Sequence, residues 1–303
     1  MSTTAPAATA APPVDESLPV IRRPRHERWI TGLLAAAAVA WIAWGLARNE
    51  KLQWATVAQY LFSPRILDGL LVTIQLSLLS IAIAIVVGFL MAMLSRSENP
   101  VLRGVARVYV GFFRGLPLLV LLLVTFNLAL FAPEIVIGFP PAFGVALDTN
   151  SVISGFTASI IGLALHESAF MAEIIRGGFL AVPAGQLEAA QSLGMRRRRA
   201  VLRIVAPQAI RVIVPATGNQ FIMLLKASAM VAVIGGGELL TVAQRIYGQN
   251  FQVIPLLIVV SFWYLVLVLL ASGGQHLLER RMARGVAGRP AKAAAAAVEE
   301  DAR

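Results

Sequence analysis

Apolar residues gather in long unbroken runs separated by short polar stretches. Trp29 to Ala47 carries no charge over 19 residues, and Gly69 to Ser95 carries none over 27. Val108 to Pro133 is broken only by Arg114. A fourth run extends from about Ser154 to Ile175 and contains His166, Glu167 and Glu173. A fifth covers Val212 to Ile234, with Lys226 inside it and Gly235-Gly236-Gly237 at its end. The sixth lies within the charge-free stretch Ile246 to Leu278. Each run can supply the roughly 20 apolar residues that a helix needs to cross ~30 Å of hydrocarbon. Ile135 to Leu147 is also charge-free, but its 13 residues are too few to span. It holds Gly138, Pro140, Pro141 and Gly144 and reads as an external or re-entrant segment. Only helices or closed barrels satisfy their backbone inside a bilayer. A barrel would show alternating strands of about 10 residues. The pattern therefore predicts an all-α polytopic membrane protein with about six transmembrane helices.

Composition agrees. Of 303 residues, 58% are hydrophobic before 24 glycines are counted, and 14% are charged. A soluble domain has about 45–50% apolar residues with glycine included, and about 25% charged. There are no cysteines, which removes disulfides, thiolate metal sites and cysteine nucleophiles together. The net charge of +10 invites a nucleic-acid reading, but the placement of the charges redirects it. With six spans and the N-terminus inside, the segments 1–28, 95–107, 176–211 and 274–303 hold 20 of the 26 basic residues. The outer loops hold 4, and Arg114 and Lys226 lie within spans. The positive-inside rule then places both termini and the 176–211 segment in the cytoplasm, with no nucleic acid needed. Residues 1–28 read as a disordered tail rich in Ala, Pro, Ser and Thr. The basic group Arg22 to Arg28 lies too far from the start, and the run after it is too long, for a cleaved signal peptide. Residues 29–48 are therefore expected to be an uncleaved extra helix, and 276–303 a second cytoplasmic tail.

The 182–207 segment carries the most information. Pro183 and Gly185 mark a turn. Gln186 to Leu193 places Leu187, Ala190 and Leu193 at three-residue spacing, as a short helix with a small apolar face would. Gly194 fits the position just past a helix end. Arg196 to Arg199 follow, and Pro207 sits near the start of the next helix. Two readings stand. One is a solvated loop whose arginines anchor at headgroups. The other is a stiff knob that docks into a groove on another protein.

Glu188-Ala189-Ala190, then three residues, Gly194, nine residues, Ile204, one residue and Pro207 resembles the EAA loop of ABC importer permeases. Ala206 stands where that family usually has leucine. The stretch Tyr109 to Leu119 is similar to the Phe-Arg-Gly-Thr-Pro-Leu-Leu segment of the polar amino-acid permeases. Ala169 to Gly178 and Pro207-Gln208-Ala209 resemble the same subfamily. Departures bear on the substrate: Gly111 replaces a frequent glutamate, Leu116 a frequent threonine, and Lys226 to Met230 a Lys-x-Thr-Ser-Leu. The resemblance covers about 66–275 and implies the type I permease fold in the bacterial cytoplasmic (inner) membrane. It further implies an ABC ATPase dimer, a second permease subunit of the same or another chain, and an extracytoplasmic amino-acid-binding protein as partners. On that resemblance Gly185, Gln186, Glu188, Ala189, Ala190, Gly194 and Pro207 form the ATPase-coupling loop.

Ionisable groups deep in a bilayer are costly, about 2.5–3.5 kcal/mol each on insertion scales. Arg114, Glu167, Glu173 and Lys226 therefore need partners, water or a cavity. Arg114 and Glu173 lie near span ends, where they either snorkel to headgroups or face a substrate path. Glu167 and Lys226 lie further in and serve either as path residues or as an interhelical pair. Asn219 and Gln220 are neutral candidates for substrate hydrogen bonds or for helix–helix contacts. His166-Glu167 does not begin a zinc-protease motif, because Phe170 stands where the second histidine would. With three histidines and no cysteines, no metal site is expected. No GxxxxGK[ST] loop occurs, so ATP and magnesium would bind a separate ATPase chain and this chain would bind no cofactor.

The leading expectation is thus the non-enzymatic permease subunit of an ATP-driven importer of polar amino acids. The alternative is an ion-gradient-driven secondary transporter, whose membrane carboxylates would relay protons. Such transporters often carry inverted repeats, and the sequence has no clear one. An intramembrane enzyme lacks any nucleophile–base arrangement.

Overall fold

The computed structural model describes residues 26–139 and 143–283. Of the expected tails at 1–28 and 276–303, residues 1–25 and 284–303 lie outside that range. Contacts divide the chain into two units, Met1–Leu52 and Gln53–Arg303.

In the first unit, helix α1 (His26–Ala47) contains the 19-residue apolar span Trp29–Ala47. Every side chain from Trp29 to Ala47 is exposed within the chain. A helix that is apolar all round needs lipid or other helices around it. The Arg48 guanidinium lies 4.3 Å from the centre of the Trp44 ring, a pairing suited to a membrane edge.

The second unit opens with α2 (Trp54–Leu61) and the long α3 (Pro64–Leu94). Ser63 precedes Pro64, whose missing N–H costs nothing at the first helical position. Next come α4 (Pro100–Gly115), capped by Asn99 accepting from the Val101 amide, and α5 (Leu118–Phe126). Strands β1 (Glu134–Phe139) and β2 (Phe143–Asp148) lead through α6 (Thr149–Val152) to α7 (Gly155–Leu180). A reciprocal box between Ser154 and Thr157 caps α7. Helix α8 (Ala184–Ser192) and α9 (Arg197–Ala200) follow, then a π turn (Val201–Val205) and α10 (Ala206–Ala227). A 3₁₀ stretch, Ser228–Ile234, carries α10 onward. Helices α11 (Leu239–Asn250) and α12 (Val253–Ala283) complete the unit.

Helix α7 is the hub and packs against α3, α4, α5 and α10. Leu76, Leu122, Leu163, Met171, Leu224 and Val231 belong to the core around it. A second core joins Ile66, Leu239, Ala243, Leu256 and Val259 from α3, α11 and α12. Gly88 marks the closest approach of α3 to α7: a Cβ there would lie 2.6 Å from the Met171 Cβ and 2.9 Å from the Ser168 carbonyl. Two buried hydroxyls on α3 bond carbonyls of their own helix, Thr73 to Gly69 at 2.9 Å and Ser77 to Thr73 at 2.8 Å. Outward rows such as Leu71, Leu78, Val86 and Leu90 on α3 stay exposed, as a lipid-facing surface must.

Among the described residues, five helices are long and apolar enough to cross a membrane, or six if α4 and α5 count as one, which agrees with about six spans. That pair bends by 102°, because Pro117 holds Leu116 extended (φ −83°, ψ 134°) and interrupts the helix. The 135–147 segment is an antiparallel hairpin, with Glu134 opposite Asp148 and Gly138 opposite Gly144. Its β-branched arms favour strands, so among the described residues the regular structure is helical apart from this hairpin. The polar stretch 176–211 is largely helical, with α7 continuing to Leu180 and helix resuming at Arg197. Charge does not break a helix, and arginine and alanine are good helix formers. In the same way α12 runs to Ala283, past the expected tail boundary at 276.

Candidate functional site

The connection between α7 and α10 is a short helix hung between two long ones. Pro183, in extended conformation, turns the chain out of α7 and starts α8. Gly185, Gln186, Glu188 and Ala189 are exposed along α8. Ala190 is only 2% exposed and lies inward, where α8 packs against α9 and the π turn. Ala189 therefore offers a close approach to an outside surface, while Ala190 lets α8 lie against its own chain.

The end of α8 is a Schellman motif. The Gly194 amide donates to the Gln191 carbonyl at 2.9 Å, and the Met195 amide to the Ala190 carbonyl at 3.1 Å. Gly194 has φ +79°, which a side chain disfavours, and no atom lies within 4 Å of where its Cβ would be. The backbone, rather than space, selects glycine. Pro207 is the second residue of α10, directly after the π turn. Proline brings no amide to the helix ladder, and the wider turn before it accommodates the gap. The Gln208 side chain donates to the Ile204 carbonyl at 3.0 Å.

Deeper in the bundle, α7 and α10 meet through polar groups. Glu167 is 3% exposed, and its Oε2 accepts from the Gln220 Nε2 at 2.6 Å. Glu167 lies roughly 20 Å from the α7 end at Leu180, and Gln220 roughly 20 Å from the α10 start at Ala206. The pair thus sits about 20 Å along each helix from the end that leads to α8. Glu173 instead pairs within α7, its Oε2 lying 2.6 Å from Arg176 Nη2. The Arg114 guanidinium sits 5.3 Å from the centre of the Phe170 ring on α7. Asn219 and Lys226 are exposed, seven residues apart on one face of α10, and separate from the Glu167–Gln220 pair.

Two polar features escaped the sequence reading. The Tyr109 and Ser168 hydroxyls are 2.6 Å apart and tie α4 to α7. Glu238 is fully buried and caps α11, accepting from the Thr241 amide at 2.9 Å, the Thr241 hydroxyl at 2.7 Å and the Leu240 amide. Burial pushes its carboxyl above the usual range, and these hydrogen bonds pull it down. The Leu239 amide next to it donates to Thr73 Oγ1 on α3 at 3.1 Å. One signal was available: Glu238 is the only carboxylate between Glu188 and Glu279, and it follows three glycines.

A family described as "Binding-protein-dependent transport system inner membrane component" matches residues 84–284. The arginine transport system permease protein ArgU of Corynebacterium glutamicum is 38% identical over 282 residues, covering 92% of this chain and 86% of that protein. The L-cystine transport system permease protein TcyB of Bacillus subtilis is 35% identical over 243 residues, covering 80% and 96% respectively. Among solved structures, an amino acid ABC transporter with histidines superposes with a TM-score of 0.63 at 36% identity, over 73% of this chain and 95% of that one. The MetNI methionine ABC transporter shares the fold at 20% identity, with a TM-score of 0.54 over 74% of this chain and 97% of that one. A matching polytopic helical fold, a matched region that contains α8, Gly194 and Pro207, and relatives aligned over nearly the whole chain agree: the chain belongs to the family of binding-protein-dependent transport system inner membrane components.

Proposed function

We propose that this chain is the permease subunit of an ATP-driven importer that carries polar amino acids across the bacterial inner membrane. The observation that carries the reading is the exposed helix α8, set between α7 and α10 and aimed by the φ +79° exit at Gly194. Gly185, Gln186, Glu188 and Ala189 supply the outward surface for a separate ATPase dimer. Ala190, Gly194 and Pro207 position that surface from within. ATP and magnesium bind the ATPase, and no chemical step is assigned to this chain. The permease works as a pair with a second copy or another chain, and an extracytoplasmic binding protein delivers the substrate. Amino acids are favoured as substrates by the names of the relatives, which include arginine and L-cystine permeases.

Both termini and the 176–211 segment are placed in the cytoplasm, supported by the basic residues that cluster there. Glu167 and Gln220 are the best-placed groups for a translocation path, since they bridge the two helices joined to α8. Arg114, Asn219 and Lys226 are secondary candidates. Glu173, held by Arg176, is better placed as an anchor at the end of α7. The secondary-transporter alternative gains nothing from the geometry, because the two α7 carboxylates are each engaged by a side chain. The test is uptake by cells containing the whole transporter. Uptake should persist when ionophores collapse the ion gradients while ATP is maintained, and should cease when the partner ATPase is inactivated. Proton-driven uptake by this chain alone would overturn the reading.

A further inference from the structure

Beside α8 the surface carries a concave basic patch, within the coupling segment but apart from the outward face of α8. Arg196, Arg198, Arg199 and Arg203, together with Leu202, line a recess of about 330 Å³. All five side chains are exposed, Leu202 by 60%. Among the described residues, no carboxylate lies within ion-pair distance of these four guanidiniums. Like charges held this close repel, solvent screens that repulsion only partly, and an anion seated in the recess would offset it further. The helix that starts at Arg197 gains nothing from them, since cations at a helix start oppose its dipole.

The recess also has a depth and an apolar element. Helix α7, with 26 residues, is ~39 Å long, against ~30 Å of hydrocarbon and ~40–45 Å of bilayer with headgroups. About 9 Å of the helix is left over beyond the hydrocarbon, and the charged Glu173–Arg176 pair in its last turns assigns that excess to the Leu180 end. Helix α8 starts after a three-residue link, and α9 packs on α8. Leu202 projects among the arginines at that level. Free phosphate or an acidic protein side chain would satisfy the guanidiniums but leave Leu202 in water. A lipid satisfies both, through its phosphodiester and its upper acyl carbons. We propose that Arg196, Arg198, Arg199, Arg203 and Leu202 form a binding site for the headgroup of an anionic phospholipid. A lipid held there fixes α9, the element on which α8 rests, and so ties the position of the coupling helix to membrane charge.

The test uses the purified full-length chain in a neutral detergent and needs no transport, so it stands or falls separately from the proposed function. Native mass spectrometry follows retention of dioctanoyl-phosphatidylglycerol and dioctanoyl-phosphatidylcholine, with inorganic phosphate as competitor. The expected result is about tenfold preference for the glycerol lipid. That preference should be lost in Arg199→Gln/Arg203→Gln, kept in Arg199→Lys/Arg203→Lys, and unaffected by millimolar phosphate. An unchanged preference in the glutamine pair overturns the site. Loss in both pairs also overturns it, since a changed side-chain shape then suffices without loss of charge. Displacement by phosphate alone makes the recess a free-anion site and overturns the lipid. No lipid preference in the native chain, with ATPase co-purification lost in the glutamine pair, assigns the recess to an acidic protein surface instead.

Discussion

Gly194 offers the sharpest test of coupling, because the cost of replacing it is confined to the backbone. At φ +79° an L-residue pays about 1–2 kcal/mol in strain. Replacing glycine also removes unfolded-chain freedom, which returns about 0.4–1 kcal/mol. No atom lies within 4 Å of the new Cβ, so no clash adds to this. The net cost of Gly194→Ala is then about 1 kcal/mol, small beside a typical fold stability of ~5–15 kcal/mol. The protein should still reach the membrane in normal amounts. Locally the same energy is decisive. It opposes the two hydrogen bonds, Gly194 to Gln191 and Met195 to Ala190, that set the direction in which the chain leaves α8. A cost of about 1 kcal/mol reduces the correctly directed population roughly fivefold relative to its alternatives, and about 1.4 kcal/mol reduces it tenfold. Asparagine tolerates the left-handed region, and a β-branched residue tolerates it least.

The expected order of uptake is therefore glycine, then Gly194→Asn, Gly194→Ala and Gly194→Val, with the last reduced tenfold or more. Gly194→Asp, which shares some of the tolerance of asparagine, should fall between Asn and Val. Uptake, membrane abundance and stimulation of the ATPase by loaded binding protein are measured on each variant. Stimulation should fall in step with uptake while abundance stays level. Two results would refute the reasoning. Valine at wild-type activity means the direction of the exit is irrelevant. Asparagine as damaging as valine means that bulk at a contact, not φ, is what matters.

Ala189 and Ala190 should behave oppositely despite being neighbours. Ala189→Leu points outward and should lower uptake without lowering abundance, whereas Ala190→Leu overfills a buried site at about 1–3 kcal/mol and should lower abundance first. Glu188→Lys reverses an exposed charge on the same face and should abolish uptake with the protein still in the membrane; normal uptake would remove Glu188 from the interface. Gln220→Leu leaves Glu167 without its donor and should destabilise the chain by about 1–3 kcal/mol, read as a lower thermal midpoint in detergent, while an unchanged midpoint means water or another group replaces the bond. Reporter fusions after residues 148 and 195 should report opposite sides of the membrane, and the same side for both would break the topology.

Much of the fold is legible because one physical quantity dominates it. The charge-free run Trp29 to Ala47 falls inside α1, nearly all of Gly69 to Ser95 inside α3, and most of Val212 to Ile234, which carries Lys226, inside α10, while the run ending at Leu278 takes in the end of α11 as well as α12; few other structures can hold so many apolar residues together in a membrane. The third run hides a bend because hydropathy does not register direction. Val101, Val105, Val108 and Phe112 recur at helical spacing while Arg103, Arg107 and Arg114 lie opposite, so α4 is amphipathic, and Pro117 then turns the chain by 102°. The short exit helix and Gly194 were readable because their chemistry is local. The inward turn of Ala190 and the Glu167–Gln220 bond were not, because each depends on the register between elements far apart in sequence.

That register links the two halves of the proposed mechanism. Helix α8 is joined to α7 by three residues and to α9 by four, and α9 continues through the π turn into α10. The helices that receive any force on α8 are thus the same two that hold Glu167 against Gln220. A shift of α8 that moves the ends of α7 and α10 unequally must slide one helix along the other, and a 2.6 Å hydrogen bond tolerates only a fraction of an ångström of such sliding before it weakens. The α10 route is interrupted at its base by the π turn at Val201–Val205, whose hydrogen bonds depart from the α pattern, with Pro207 directly behind it, and again at Pro215 within the helix. Helix α7 has no such break between Gly155 and Leu180. Motion of α8 should therefore reach Glu167 almost undiminished through α7, while the α10 route bends at its base. In the proposed importer this asymmetry converts docking of the ATPase into relative movement at the Glu167–Gln220 pair, about 20 Å away.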